Sequence, residues 1–135
     1  MGDGIMIYVI DDDFVMARCV KRAIAKTGKS VRIFSNTIDA VEYLDIKLPE
    51  MIFLDILLTG PDGFEFLNEI VSYPDTAGIP IVIVSSIKFI QKELMEYGVV
   101  ATLEKSKMRP EQIEKLVKKY AGKMVRVVNG RLIPE

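Results

Sequence analysis

Acidic, hydroxyl and amine side chains follow four apolar segments of the chain, where each segment ends. Asp11 and Asp12 follow the first, Asp55 a later one, and Ser85 and Lys105 the last two. Carboxylates crowded together repel, so at neutral pH they need a nearby cation or a raised pKa. Magnesium suits them, because it prefers oxygen ligands and often binds one or two carboxylates together with phosphate. Since aspartate can attack phosphorus, while a lysine and a hydroxyl stabilise phosphoryl oxygens, these residues predict a site for a divalent cation and a phosphoryl group.

Each of these side chains also has an ordinary structural interpretation. Asp12 and Asp13 are suitable helix caps, and Asp62-Gly63 is typical of a turn. A lone lysine such as Lys105 is usually solvated, and Ser85 can simply end a strand. These separate interpretations do not explain why the reactive types coincide at the ends of successive apolar segments.

The apolar segments are predicted to be buried parallel strands that alternate with helices. They comprise residues 5–10, 31–34, 51–54, 81–84 and 99–103. Short apolar runs between helical patterns are typical of parallel sheets, which bind ligands outside the carboxyl ends of their strands. The pattern therefore predicts a doubly wound α/β sheet with right-handed crossovers and the reactive side chains at one edge.

Helical periodicity fills the intervals between these segments. The first helix is predicted to place Val15, Cys19, Val20, Ala23 and Ile24 on one face. A second helix is predicted from caps at Ser35-Asn36 to about Asp45. Further helices are predicted after residue 63, over 88–97, and from a proline at 110, where a missing N–H suits the first turn. The last of these has the clearest amphipathic pattern in the chain.

The C-terminal residues 122–135 depart from this alternation. Two β-like segments flank Asn129-Gly130, a strong signal for a short β-hairpin. A two-stranded hairpin alone is marginal in water. The sequence leaves open whether this tail packs on the domain, pairs with another chain or is disordered.

Composition excludes several classes of protein. A chain of 135 residues suits one domain, and a net charge of −1 argues against a general nucleic-acid binder. The single cysteine cannot form an internal disulfide, so a reducing, cytoplasmic location is the simplest expectation. No signal peptide is recognised, and no apolar run reaches the ~18–20 residues of a membrane span. The absence of histidine excludes a histidine base, metal ligand or phosphohistidine donor within the chain.

Four motifs resemble the receiver domain of two-component response regulators over about residues 4–121. They comprise residues 8–13, 52–55 with 62–65, 79–86, and Glu104-Lys105. Each motif is weak alone, but the four in order at close to the family spacing are specific. The resemblance implies a flavodoxin-like, five-stranded parallel sheet of order 2-1-3-4-5 with helices on both faces. Residues 1–121 would form this receiver domain, with 122–135 as a C-terminal tail.

The resemblance also implies a Mg²⁺ cofactor. Asp12 would bind the ion directly and Asp11 more remotely through water, and Asp55 would also belong to the metal site. The backbone carbonyl of Leu57 would complete the protein's share of the ligands.

The implied function is a switch and not an enzyme. A partner histidine kinase or histidine phosphotransfer protein would phosphorylate Asp55, while Ser85 binds a phosphoryl oxygen and Lys105 pairs with the phosphoryl group. The charge change would alter a surface that a downstream protein reads, without direct DNA binding or membrane insertion. The kinase, the output partner, a role as relay intermediate and the oligomeric state stay open.

Several positions depart from the family pattern. Ser106 replaces the usual proline after the lysine, so a trans peptide and a shifted loop are expected. Thr102 replaces the usual aromatic switch residue. The interval 85–98 is shorter than in the family, so the fourth helix should be shorter too. Leu57 and Ile87 lie at the two positions that in this family tune the access of water to the acyl phosphate, and both are apolar. Because neither side chain can orient an attacking water, slow self-dephosphorylation is the resulting hypothesis.

Two other classes of function are considered. One is a pseudo-receiver binding module that is not phosphorylated, motivated by Thr102 and Ser106. The other is a phosphatase with an aspartyl nucleophile. Such enzymes generally need a second acid two positions after the nucleophile, where this chain has Leu57.

Overall fold

A five-stranded parallel sheet forms the centre of the molecule. The computed structural model describes residues 6–57 and 63–135, so Ile5 of the predicted first strand and the predicted turn at Asp62 lie outside the described residues. The strand order is β2-β1-β3-β4-β5, which confirms the predicted flavodoxin-like topology. The strands are β1 (Met6–Ile10), β2 (Ser30–Phe34), β3 (Met51–Leu54), β4 (Ile81–Ser85) and β5 (Val99–Glu104).

Helices with clear local start signals connect the strands. The Asp13 carboxylate accepts a hydrogen bond from the Met16 amide at 3.1 Å, and Asn36 caps the next helix through the Asp39 amide at 2.8 Å. Pro110 begins the last helix, as predicted. The helices are α1 (Phe14–Ala25), α2 (Thr37–Leu44), α3 (Gly63–Val71), a 3₁₀ helix (Gln91–Tyr97) and α4 (Pro110–Tyr120).

The sheet separates two apolar layers. On one face, α1 and α4 cover the sheet with side chains such as Val20 and Val117. On the other, α2, α3 and the 3₁₀ helix contribute side chains such as Leu67 and Leu94. Every residue of β3 and β4 is buried, which explains why these strands read as continuous apolar runs instead of alternating ones.

Two helical predictions are wrong in detail. Val15 and Cys19 are exposed, and Ala17 lies in the buried stripe of α1 instead. Successive residues of a helix are about 100° apart, so the stripe through Ala17 and Val20 turns Cys19 away from the sheet. The predicted helix over 88–97 is a 3₁₀ helix that starts at Gln91.

The late start of the 3₁₀ helix has a visible cause. The Thr102 hydroxyl donates to the Phe89 carbonyl at 3.0 Å, and the Gln91 side-chain amide donates to the Val99 carbonyl at 2.7 Å. The first bond uses the Phe89 carbonyl, which a regular helix over 88–97 would need, and the second ties the start of the 3₁₀ helix to β5. The fourth helical element is therefore short, as the interval 85–98 predicted.

The C-terminal residues form an antiparallel hairpin against the domain. Its strands are β6 (Val125–Val128) and β7 (Arg131–Pro134). Asn129 and Gly130 connect them with φ of 51° and 73°, the positive values that a tight hairpin turn requires. Val125 is buried, and its amide donates to the Gly78 carbonyl at 2.8 Å, so the hairpin extends the core beneath α4.

Candidate functional site

Backbone hydrogen bonds at the carboxyl edge of the sheet set the positions of the reactive side chains. The Asp55 amide donates to the Ile10 carbonyl at 2.8 Å, just beyond β1 and β3. The Lys105 amide donates to the Ser85 carbonyl at 2.8 Å, just beyond β4 and β5. These bonds continue the sheet for one residue past its strands. The predicted side chains consequently leave the backbone at one edge.

The ammonium group of Lys105 bridges two carboxylates. Its Nζ lies 3.1 Å from Asp11 Oδ2 and 3.1 Å from Asp55 Oδ2. The side chains are 15% exposed for Lys105, 3% for Asp11 and 7% for Asp55, so water screens these ion pairs weakly. Burial alone would lower the pKa of Lys105, but hydrogen bonds and charges from Asp55 and Asp11 outweigh it and raise that pKa.

Three carboxylates form a compact cluster beside this ammonium. One oxygen each of Asp11, Asp12 and Asp55 lies within 4.8 Å of the others; Asp12 is exposed and the other two are buried. Burial raises the pKa of Asp11 to about 6, although the Asp13 amide and Lys105 favour its ionised form. A cluster of three carboxylates, which supplies hard oxygen donors within a short distance of one another, fits a divalent cation such as Mg²⁺.

Two further predicted residues adjoin the cluster. The Leu57 amide donates to Asp55 Oδ1 at 3.0 Å, which fixes the carboxylate from the side opposite Lys105. The predicted role of the Leu57 carbonyl as a metal ligand stays a prediction. Ser85 is 1% exposed, and its Oγ accepts from the Ile87 amide at 3.2 Å. The Leu57 and Ile87 side chains are apolar and exposed.

Gly63 has a positioning role that its assignment as a turn residue missed. A Cβ at this position would lie 2.6 Å from the Ile56 Cα, so only glycine lets α3 begin directly against the residue after Asp55. The Gly63 amide also donates to the Ile56 carbonyl at 3.4 Å. No local pattern signals this contact, because it depends on where α3 approaches β3.

A small cavity adjoins Ser85 and Thr102, the position at which the sequence departs from the expected aromatic residue. Its volume is about 140 Å³, and Thr102, Phe89 and Met108 contribute to its walls. Thr102 fills less space than a ring and binds the Phe89 carbonyl. No cis peptide occurs among the described residues, so the peptide before Ser106 is trans, as expected.

The comparisons with known proteins agree with this geometry. Residues 7–118 match the sequence model of the response regulator receiver domain. The chain belongs to this family. The DNA-binding transcriptional regulator NtrC of Escherichia coli K12 is 32% identical to this receiver domain over 65 residues, which is 48% of the chain and 14% of NtrC. The chain therefore spans a small part of that relative.

Solved structures share the fold of this receiver domain. The signal receiver domain of a DNA-binding response regulator from Colwellia psychrerythraea 34H superposes with a TM-score of 0.76 at 24% identity, covering 85% of this chain and 96% of that one. The Mn²⁺-bound form of response regulator Rcp1 superposes with a TM-score of 0.73 at 22% identity, covering 86% and 94%. Within the described part of the receiver domain, no helix combines the length and apolar character of a membrane span.

Proposed function

We propose that this receiver domain is a Mg²⁺-dependent phosphoacceptor switch with Asp55 as the phosphorylated residue. The observation that carries the proposal is the Lys105 ammonium held 3.1 Å from Asp55 within a buried carboxylate cluster. A buried aspartate with a neighbouring amine and two further carboxylates has the groups that aspartyl-phosphate chemistry needs. Membership of the receiver family supports the same assignment.

The donor would be a phosphohistidine outside these 135 residues, which contain no histidine. A carboxylate oxygen of Asp55 attacks the phosphorus, the phosphorus–nitrogen bond breaks, and its electron pair returns to the donor imidazole. An acyl phosphate remains on Asp55. In the unphosphorylated protein, the Lys105 ammonium donates to both Asp11 and Asp55. After phosphorylation it would pair with a phosphoryl oxygen, which carries the new negative charge.

Asp11, Asp12 and Asp55 would hold the Mg²⁺, with the Leu57 carbonyl as a further ligand. The ion, when bound, offsets the charge of the carboxylates and of the incoming phosphoryl group. Asp11 is suited to a supporting role, since Lys105 and the Asp13 amide already orient its carboxylate. The structurally similar response regulator Rcp1 has an Mn²⁺-bound form, which supports a divalent ion here.

Ser85 is the residue best placed to pass on the change. Its hydroxyl oxygen accepts from the Ile87 amide, so a movement of Ser85 toward a phosphoryl oxygen would release the start of the segment 86–90. The Thr102 hydroxyl ties that segment to β5 at Phe89, and the Gln91 side chain, which directly follows the segment, binds the Val99 carbonyl of β5. Phosphorylation would thus shift the population of surfaces that a downstream protein reads.

Intact-mass measurement tests the proposal. The full chain is incubated with Mg²⁺ and a small acyl-phosphate donor, together with Asp55→Asn and the matched exposed variant Asp75→Asn. The expected result is one added phosphoryl group on the wild type and on Asp75→Asn, and none on Asp55→Asn. No addition to a folded wild type would move the assignment to a binding module that works without phosphorylation.

A further inference from the structure

The charges of this chain are segregated along the sequence. Residues 14–38 and 115–134 together contain 12 of the 18 lysine and arginine residues and none of the 19 aspartate and glutamate residues. The remainder of the chain therefore has 6 cationic side chains against 19 anionic ones. A net charge of −1 conceals this separation, so it does not exclude an anionic partner.

The fold brings both cationic segments to one side of the molecule. Helices α1 and α4 pack on the same face of the sheet, and Val20, Val117 and Val125 belong to one core cluster. Both helices return antiparallel to the strands they follow, so their C-terminal ends lie at the sheet edge opposite Asp55. The hairpin follows α4 at that edge. We define the basic face as the exposed lysines and arginines of residues 18–26 and 115–131.

Carboxylates within the chain leave most of this charge uncompensated. Among the described residues, the only ion pair of the basic face joins Arg126 Nε to Glu135 Oε2 at 3.7 Å, with both side chains largely exposed. Favourable interaction with a helix C-terminus accounts for Lys118 and Lys119 in the last turn of α4 and for Arg22 in the last turn of α1. It does not account for the cations earlier in α1 or for those of the hairpin, where like charges repel.

The hairpin adds aliphatic side chains to the cations. Arg126 lies opposite Ile133 and Val128 opposite Arg131, on the hairpin face turned away from buried Val125. Val128 and Ile133 are 37% and 39% exposed. Alternating cationic and aliphatic side chains suit the surface of an anionic bilayer, where cations meet headgroups and aliphatic groups enter the interface.

Nucleic acid fits the same face less well. A phosphate backbone would attract the cations but gains nothing from Val128 and Ile133. Binding of single strands commonly uses exposed aromatic rings for base stacking. The only aromatic residue of 115–134 is Tyr120, which is buried, and 18–26 contains none.

We propose that the basic face docks this receiver domain peripherally on a bilayer leaflet that contains anionic phospholipid. In this orientation, the hairpin and the C-terminal ends of α1 and α4 face the lipid. The carboxylate cluster around Asp55 lies at the other edge of the sheet and stays accessible to a phosphodonor. Membrane attachment and phosphorylation would therefore not compete for the same surface.

Co-sedimentation of the full chain with phosphatidylcholine vesicles, with and without phosphatidylglycerol, tests the proposal at low and high salt. The charge variant is Arg126→Gln with Arg131→Gln. The matched control is Lys88→Gln with Lys92→Gln, which removes the same charge from exposed positions outside the basic face, just before and within the 3₁₀ helix. A third variant, Val128→Ser with Ile133→Ser, tests the aliphatic contribution. Thermal unfolding verifies that each variant is folded.

Binding is expected only with phosphatidylglycerol and is expected to weaken at high salt. The arginine variant should partition about 10- to 30-fold more weakly, since each near-surface cation contributes separately. The serine variant should lose at least about threefold, and the lysine control should match the wild type. Absence of binding at low salt, or an equal loss in the lysine control, would overturn the proposal. Equal or tighter binding of a random-sequence DNA duplex would assign the face to nucleic-acid phosphates instead.

Discussion

Replacing Lys105 with methionine removes the ammonium that Asp11 and Asp55 share, and the structure gives the expected cost. The side chains of all three residues are at most 15% exposed, and both distances are 3.1 Å. Removing one partner of a buried ion pair costs about 3–5 kcal/mol, because the remaining charge stays buried without compensation. Protonation of Asp11, whose pKa in the folded protein is about 6, costs only about 1 kcal/mol at neutral pH, but it leaves Asp55 buried without its cation. The free energy of unfolding should therefore fall by about 3 kcal/mol, the lower end of that range.

Lys107→Met is the matched control, since it makes the same change two positions away. Lys107 Nζ lies 3.9 Å from Glu104 Oε2 and the lysine side chain is 77% exposed, so water screens this pair. Its loss is expected to cost less than about 1 kcal/mol. Urea unfolding in metal-free buffer at neutral pH, followed by circular dichroism, measures both variants. Equal destabilisation by the two substitutions would refute the argument that burial makes the Lys105 pairs strong.

Magnesium extends this test to the proposed metal site. An ion bound by Asp11, Asp12 and Asp55 would neutralise the same carboxylates as Lys105, so it should stabilise Lys105→Met more than the wild type. The midpoint of urea unfolding is measured across a Mg²⁺ titration. If Mg²⁺ stabilises the two proteins equally, the ion does not bind at the carboxylates that Lys105 contacts.

Three further predictions use other features of the site. Burial raises the pKa of Asp11 from 3.8 to about 6, so between these pH values the folded state binds more protons than the unfolded state. The free energy of unfolding without metal should therefore fall by about 3 kcal/mol as the pH rises from 3.8 to 6, relative to Asp11→Asn measured in parallel. Gly63→Ala should cost about 1–3 kcal/mol in urea unfolding, because its Cβ would meet the Ile56 backbone at 2.6 Å; unchanged stability would contradict this close approach. Leu57→Asn should shorten the half-life of the phosphorylated protein, because an amide can orient water and an exposed leucine cannot; a mass-spectrometric time course showing equal half-lives would sink the idea of slow self-dephosphorylation.

Local sequence patterns were sufficient for the alternation of buried parallel strands with helices and for the edge of the sheet that carries the reactive residues. The strand order was implied by the resemblance to receiver domains. Fully apolar runs such as β3 and β4 identify strands that are buried on both faces. Polar residues that follow those runs must emerge at the carboxyl edge, whatever the details of packing. Asn129-Gly130 likewise specifies a turn by its own backbone preferences, and the structure has a hairpin there.

Local patterns were insufficient wherever the answer depended on approach between distant segments. The periodicity of apolar residues predicts that α1 is a helix, but it does not determine which side of the helix faces the sheet. For this reason the prediction that Cys19 lies on the buried face is wrong. The start of the 3₁₀ helix depends on a bond from Thr102 to the Phe89 carbonyl, across 13 residues of chain. No propensity within residues 88–97 contains that information.

The sequence by itself determined which residue types end each strand, since those positions follow from short-range hydrophobic patterning. Only the tertiary structure decided that Lys105 lies between Asp11 and Asp55, residues 94 and 50 positions away along the chain. It likewise decided that α3 begins against Ile56 and that two cationic segments share one face. The physical reason is that side-chain distances and burial, and hence the strength of these charges, exist only once the strands are in register.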